Sequence, residues 1–109
     1  MTIAVGHHIP EAHVSIYQDG IKFVSAKELL GEGKVVLFAV PGAFTPTCSN
    51  KHLPGYIQHI YDFRARGVKV ACLSVNDPFV MEAWGKERGI PHDIQMLADG
   101  NATFTRALG

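Results

Sequence analysis

The spacing of apolar and polar positions changes period along this chain, and each change predicts an element. Ala12-His13-Val14-Ser15-Ile16 alternates every second residue, as a half-buried strand does. Gln18-Asp19-Gly20 reads as a turn, and Ile21-Lys22-Phe23-Val24 as the returning partner strand. Ser25 and Glu28 have capping-box spacing, which predicts a short helix through Leu30, stopped by Gly31 and Gly33. From Val35 to Val40 the chain is continuously apolar, short and rich in β-branched residues, between Gly33-Lys34 and Pro41-Gly42. That pattern predicts a central strand buried on both faces. Thr45 is a good N-cap and Pro46 a good first helical residue. Leu53, Tyr56, Ile57, Ile60 and Tyr61 then recur at helical spacing until Gly67, with a kink or short break expected at Pro54.

Val68 to Val75 predicts a second buried strand. Asn76-Asp77-Pro78 caps a helix carrying Phe79, Val80, Ala83 and Trp84 and ending near Gly89. Ile94 to Leu97 is a short third strand, Asp99-Gly100 a turn, and Asn101 the expected cap of a last helix to Leu108. Phe38, Phe63, Phe79 and Trp84 are expected in the core. Strand, helix, strand, helix, strand describes an α/β fold with a mostly parallel sheet and right-handed crossovers.

The chain has 109 residues, which suits a single domain spanning 1–109. Hydrophobic content of 47% against 18% charged is that of a globular core. Lys+Arg and Asp+Glu both number 10, so no basic stripe points to nucleic acid or to a membrane surface. The longest apolar run, Val35 to Ala43, is too short to span a bilayer. Met1 to Pro10 lacks the pattern of a secretory signal, so a cytoplasmic location is expected. The six histidines show no zinc-ligand spacing alongside a cysteine pair, so no metal is expected.

Chemistry concentrates at Cys48. With Thr45 as N-cap, Cys48 is the third residue of a helix just beyond the carboxyl end of the Val35–Val40 strand. Unpaired N–H groups and the positive dipole end at a helix start stabilise an anion, and thiolate is the nucleophilic form of cysteine. Pro41 and Phe44 can limit water at the sulfur, and Thr45 offers a hydroxyl one turn earlier. Composition alone reads Cys48 equally well as a small buried residue. Cys72, inside a strand, reads as buried structure. His52 either touches the site or packs near Pro54; Lys51 and Arg64 read as solvated.

The run Val40-Pro41-Gly42-Ala43-Phe44-Thr45-Pro46-Thr47-Cys48-Ser49, with His52-Leu53-Pro54-Gly55, resembles the active-site segment of the peroxiredoxins. It is most similar to the type II, or peroxiredoxin-5-like, branch. Leu73-Ser74-Val75-Asn76-Asp77-Pro78-Phe79-Val80 and Leu97-Ala98-Asp99-Gly100 resemble that branch too.

The resemblance implies a thioredoxin-like fold and a peroxidase of hydrogen peroxide and alkyl hydroperoxides that needs no cofactor. Cys48 is implied as the peroxidatic cysteine that becomes a sulfenic acid. Thr45 is implied to position the peroxide and Pro41 to shield it. The Gly42 to Cys48 backbone, with Phe44 and Thr47, is implied to line the substrate and supply amide donors. Glutathione with glutaredoxin, or thioredoxin, is the implied reductant, and a homodimer the implied assembly. Members of the branch continue for roughly 50 residues more, enough for a strand pair and a closing helix. The family's active-site arginine lies in that part, and Arg106 is not it. Without that part, a central strand is expected to lose its neighbours and to expose edge and core. A thioredoxin-type disulfide exchanger needs a cysteine near Cys48, where Ser49, Asn50 and Lys51 stand. A non-catalytic redox sensor or an inactive fragment of the family is the alternative.

Overall fold

A computed structural model of the chain describes residues 2–31, 33–47, 51–91 and 93–109. The alternating segment forms β1 (His13–Tyr17), which pairs antiparallel with β2 (Ile21–Ser25) across the Gly20 turn. After the short helix α1 (Ala26–Leu30) come β3 (Lys34–Val40), α2 (Leu53–Ala65), β4 (Val68–Ser74), α3 (Pro78–Glu87), β5 (Ile94–Ala98) and α4 (Thr103–Leu108). The sheet order is β2-β1-β5-β4-β3. The β3–β4 and β4–β5 pairs are parallel, and β5 meets β1 antiparallel at Ser15 and Ala98. The sheet is therefore mixed: a parallel α/β half joined to an antiparallel hairpin.

Each face of the sheet has its own core, and β4 feeds both. Val70 and Cys72 point into a cluster with Phe38, Leu53, Ile60, Met81 and Trp84 beneath α2 and α3. Ala71 and Leu73 point to the other face, among Val14, Ile16, Leu30, Leu97 and Phe104 beneath α1 and α4. Successive strand residues must face opposite sides, so a strand covered on both is apolar throughout. The strand buried on both faces is thus β4. The first apolar run, expected to be central, forms β3, and among the described residues it stands at the sheet edge. Its Val35 to Leu37 are half-buried and Ala39 is exposed.

Several caps depart from expectation. Ser25 is the N-cap of α1 in the extended conformation usual there, and it also pairs with His13 in the β1–β2 ladder, but its side chain makes no cap bond. Asn101 does not cap α4. Instead the buried Asp99 carboxylate accepts from the backbone N–H of Phe104 (3.2 Å) and Thr105 (2.8 Å) and from the Thr105 hydroxyl (2.7 Å). Asp77 caps α3 as expected, accepting from Val80 N–H at 2.8 Å. The break foreseen at Pro54 falls just before it: Lys51 and His52 form a wider π-type turn, and Pro54 is the second residue of α2.

Trp84 and Phe38 are buried and Phe63 packs against them, as expected. Phe79 is not in the core; it is 62% exposed, with its ring 6.1 Å from that of Tyr17. It lies five residues before Trp84, which turns it about 140° away from the buried stripe.

Asp99→Ala removes three charge-assisted hydrogen bonds from a site 3% exposed. Urea unfolding is expected to show a loss of about 2–3 kcal/mol, with Asp99→Asn losing less because it keeps an acceptor.

Candidate active site

Parallel pairing in register sets the last residues of three strands side by side: Val40 opposite Ser74, and Ser74 opposite Ala98. The segments that follow therefore leave the sheet at one height. They are Pro41 to Thr45, Val75 to Asp77, and Asp99 to Ala102, and each overlaps a stretch that carries the family resemblance. The sequence holds them far apart, and the sheet brings them together.

Polar contacts join them. The Ala43 backbone N–H donates to Asn76 Oδ1 at 2.9 Å, tying the turn after β3 to the turn after β4. The Ser74 hydroxyl donates to the same Asn76 oxygen. The backbone N–H of Asp99 donates to the Ser74 carbonyl at 2.9 Å, tying β5 to β4. Ser74 and Asp99 are both buried polar residues, and each has its partners.

Within the turn, the Thr45 hydroxyl donates to the Gly42 carbonyl at 2.8 Å. A Cβ at Gly42 would stand 3.3 Å from Thr45 Cγ2, so glycine is what lets the threonine fold back this closely. Phe44 between them has φ 63°, the left-handed region that side-chain-bearing residues seldom occupy. Pro46 and Thr47 are helical, which puts Thr45 at the expected N-cap position. Pro41 and Thr47 are exposed, and Phe44 is 47% exposed. Cys48, with Ser49 and Asn50, lies outside the described residues.

His52 packs its ring 5.2 Å from Phe38 and 5.7 Å from Tyr56. Phe38 and Tyr56 stack at 3.8 Å, so the histidine belongs to an aromatic cluster. Lys51 is exposed; Arg64 pairs with Asp93 and lies over the Tyr61 ring. Arg106, in α4, is exposed and donates to the Asn101 carbonyl at 3.2 Å. Cys72 is fully buried in the middle of β4, opposite Phe38. Among the described residues no group of three or more His, Cys, Asp and Glu could hold a metal ion. A groove of about 720 Å³ lies elsewhere, between β1, β5 and α3, lined by Tyr17, Met81, Gly85 and Met96. The sequence pattern shows Asn76 only as part of the cap of α3, not as a site residue. Its position in a turn after a buried strand was the available signal.

A mixed five-stranded sheet covered by helices on both faces, with a Pro-Gly turn and a helix start at its carboxyl end, matches the thioredoxin-like class. The family described as Redoxin matches residues 4–109. The chain is 53% identical over 113 residues to peroxiredoxin-2E-2, chloroplastic, of Oryza sativa subsp. japonica, covering 99% of this chain and 50% of that protein. It is 44% identical over 110 residues to peroxiredoxin-2B of Arabidopsis thaliana, covering 98% and 68% respectively. The crystal structure of reduced Prx3 in complex with H₂O₂ from Vibrio vulnificus superposes with a TM-score of 0.94. Identity there is 51%, with coverage of 99% of this chain and 69% of that one. The chain belongs to the peroxiredoxins, in their type II branch. It spans about half the length of the two chloroplastic relatives, peroxiredoxin-2E-2 and peroxiredoxin-2E.

Cys72→Ser places a hydroxyl where the side chain is 0% exposed, between two apolar layers. Thermal or urea unfolding is expected to show a loss of about 1–3 kcal/mol.

Proposed function

We propose that this chain is the nucleophile-bearing part of a thiol peroxidase that reduces hydrogen peroxide and alkyl hydroperoxides through Cys48. The observation that carries this reading is the convergence of the three resembling stretches at one end of the sheet, with the Thr45 hydroxyl anchored to the Gly42 carbonyl. In the proposed reaction the Cys48 thiolate attacks one peroxide oxygen. An S–O bond forms and the O–O bond breaks. The departing hydroxide or alkoxide takes a proton and leaves as water or alcohol, and the sulfur is oxidised by two electrons to the sulfenic acid. Two thiols of a reductant then return Cys48 to the thiol, are themselves oxidised to a disulfide, and release water.

Thr45 has the chemistry for positioning. A hydroxyl has one proton and two lone pairs. Its proton is directed at Gly42, so its lone pairs are what it can offer to a peroxide O–H. Gly42, Phe44 and Thr47 supply the backbone around the bound peroxide in this reading, and Pro41 borders it. The reductant we propose is glutathione with glutaredoxin, or thioredoxin. A homodimer and a cytoplasmic setting complete the proposal.

Stopped-flow mixing with hydrogen peroxide tests it. The chain is expected to react far faster than free cysteine, and a rate no faster than free cysteine sinks the reading in favour of a non-catalytic role. Cys48→Ser should abolish peroxide consumption, while Cys72→Ser should leave it largely intact. Gly42→Ala crowds Thr45 at the 3.3 Å contact and is expected to slow the peroxide reaction by about tenfold.

A further inference from the structure

Asn76 is exposed only in part, and its side-chain oxygen receives two donors from different elements. The orientation follows from chemistry. A backbone N–H can only donate, so the oxygen of Asn76, and not its amide nitrogen, must face Ala43. Ser74 is 2% exposed, so its hydroxyl needs the same acceptor. Ser74 is in turn fixed twice, by the β3–β4–β5 ladder and by its carbonyl's bond to Asp99. Asn76 therefore passes the rigidity of three strands to one atom of the turn after β3.

That turn needs holding. Phe44 at φ 63° lies in the left-handed region, uphill of the ordinary right-handed one for a residue with a side chain. Tethers flank it on both sides: the Ala43 N–H to Asn76, and the Thr45 hydroxyl to Gly42. With the first tether cut, the Ala43 N–H can turn to water and Phe44 can relax to negative φ. The residue carried along by that relaxation is Thr45.

We infer that Asn76 is a positioning residue for peroxide: through the Ala43 N–H it fixes the turn that aims the Thr45 hydroxyl. The inference rests on the peroxidase reading above. It gives Asn76 no contact with substrate and no role in making the thiolate. Peroxide reduction needs both a thiolate and a placed substrate, whereas alkylation of Cys48 by iodoacetamide needs the thiolate alone. The two rates therefore separate placement from thiol reactivity.

The test compares the chain with Asn76→Ala and Asn76→Asp, each at the pH plateau of its own peroxide reaction. Three quantities are read: the peroxide rate, the Cys48 alkylation rate by mass spectrometry, and hydrogen exchange at the Ala43 amide. Asn76→Ala is expected to lose about tenfold or more in peroxide rate while alkylation stays within about twofold. Its Ala43 amide should exchange faster. Asn76→Asp keeps an acceptor, so it should keep Ala43 protected and bring the peroxide rate back to within about threefold. An Asn76→Ala chain with an unchanged peroxide rate overturns the inference, as does one whose two rates fall together. Should Asn76→Ala fail to fold, exchange in the unaltered chain decides: an unprotected Ala43 amide overturns the inference, and one as protected as the β4 amides supports it. A chain no more reactive than free cysteine overturns the peroxidase reading, and the inference falls with it. A reactive chain indifferent to Asn76 overturns the inference alone.

Discussion

The seven-residue parallel register between β3 and β4 is the constraint on which the rest of the molecule depends. It fixes Val40 opposite Ser74, and through β5 it fixes Ala98 in the same row. A slip of one residue turns every side chain of a strand to the opposite face. Here the two cores forbid that slip. The α2–α3 side requires Val70 and Cys72, and the α1–α4 side requires Ala71 and Leu73. Packing on both faces of one strand therefore decides where three loops emerge, and so whether the turn after β3 meets Asn76 at all.

At the carboxyl end of the sheet, hydrogen bonding takes over from packing. Ser74 ends β4, and Asp99 follows Ala98 at the end of β5; both are buried and polar. Each serves two elements. Ser74 offers its carbonyl to Asp99 and its hydroxyl to Asn76, while the Asp99 carboxylate holds the start of α4. Buried polar groups are costly unless satisfied, so each constrains the geometry of its neighbours. The same network that positions the turn also seats α4 over the second core through Phe104.

Most of this was legible in the sequence, because long periodic segments speak plainly. The hairpin, both main strands, the Asp77 cap and the burial of Trp84 and Cys72 follow from spacing and turn residues. What was not legible depends on contacts between distant segments. The apolar run in β3 looks as central as β4, since composition does not say which strand has neighbours on both edges. Ser25 has capping-box spacing and does stand at the N-cap, yet its side chain makes no bond to the helix. Asn101 looks like a cap, yet Asp99, two residues earlier, reaches the N–H groups because Ala102 turns the chain at φ 57°. At the site, Thr45 is readable from local chemistry as a cap with a hydroxyl to offer, and Gly42 only through the family resemblance. Asn76 is not readable as a site residue, because its partner Ala43 lies 33 positions away.

The turn after β3 also shows how glycine and strain can be divided between neighbours. Gly42 is the residue with conformational freedom, yet the left-handed backbone falls at Phe44. Gly42 is needed for space instead, since a Cβ there would press on Thr45 at 3.3 Å. A glycine at 44 would accept the left-handed φ without cost, but it would also widen the range of turns open to the chain before the helix. An aromatic residue held in that region narrows the range, provided the backbone on each side is tied down. Ala43 is tied to Asn76 on the neighbouring turn, and Thr45 to the Gly42 carbonyl within the turn itself. The strain at Phe44 is therefore balanced by two hydrogen bonds of ordinary length, each of which contributes about 1 kcal/mol net. A balance that close leaves the turn able to change state when either bond is lost, which makes Thr45 the residue whose placement depends most directly on both.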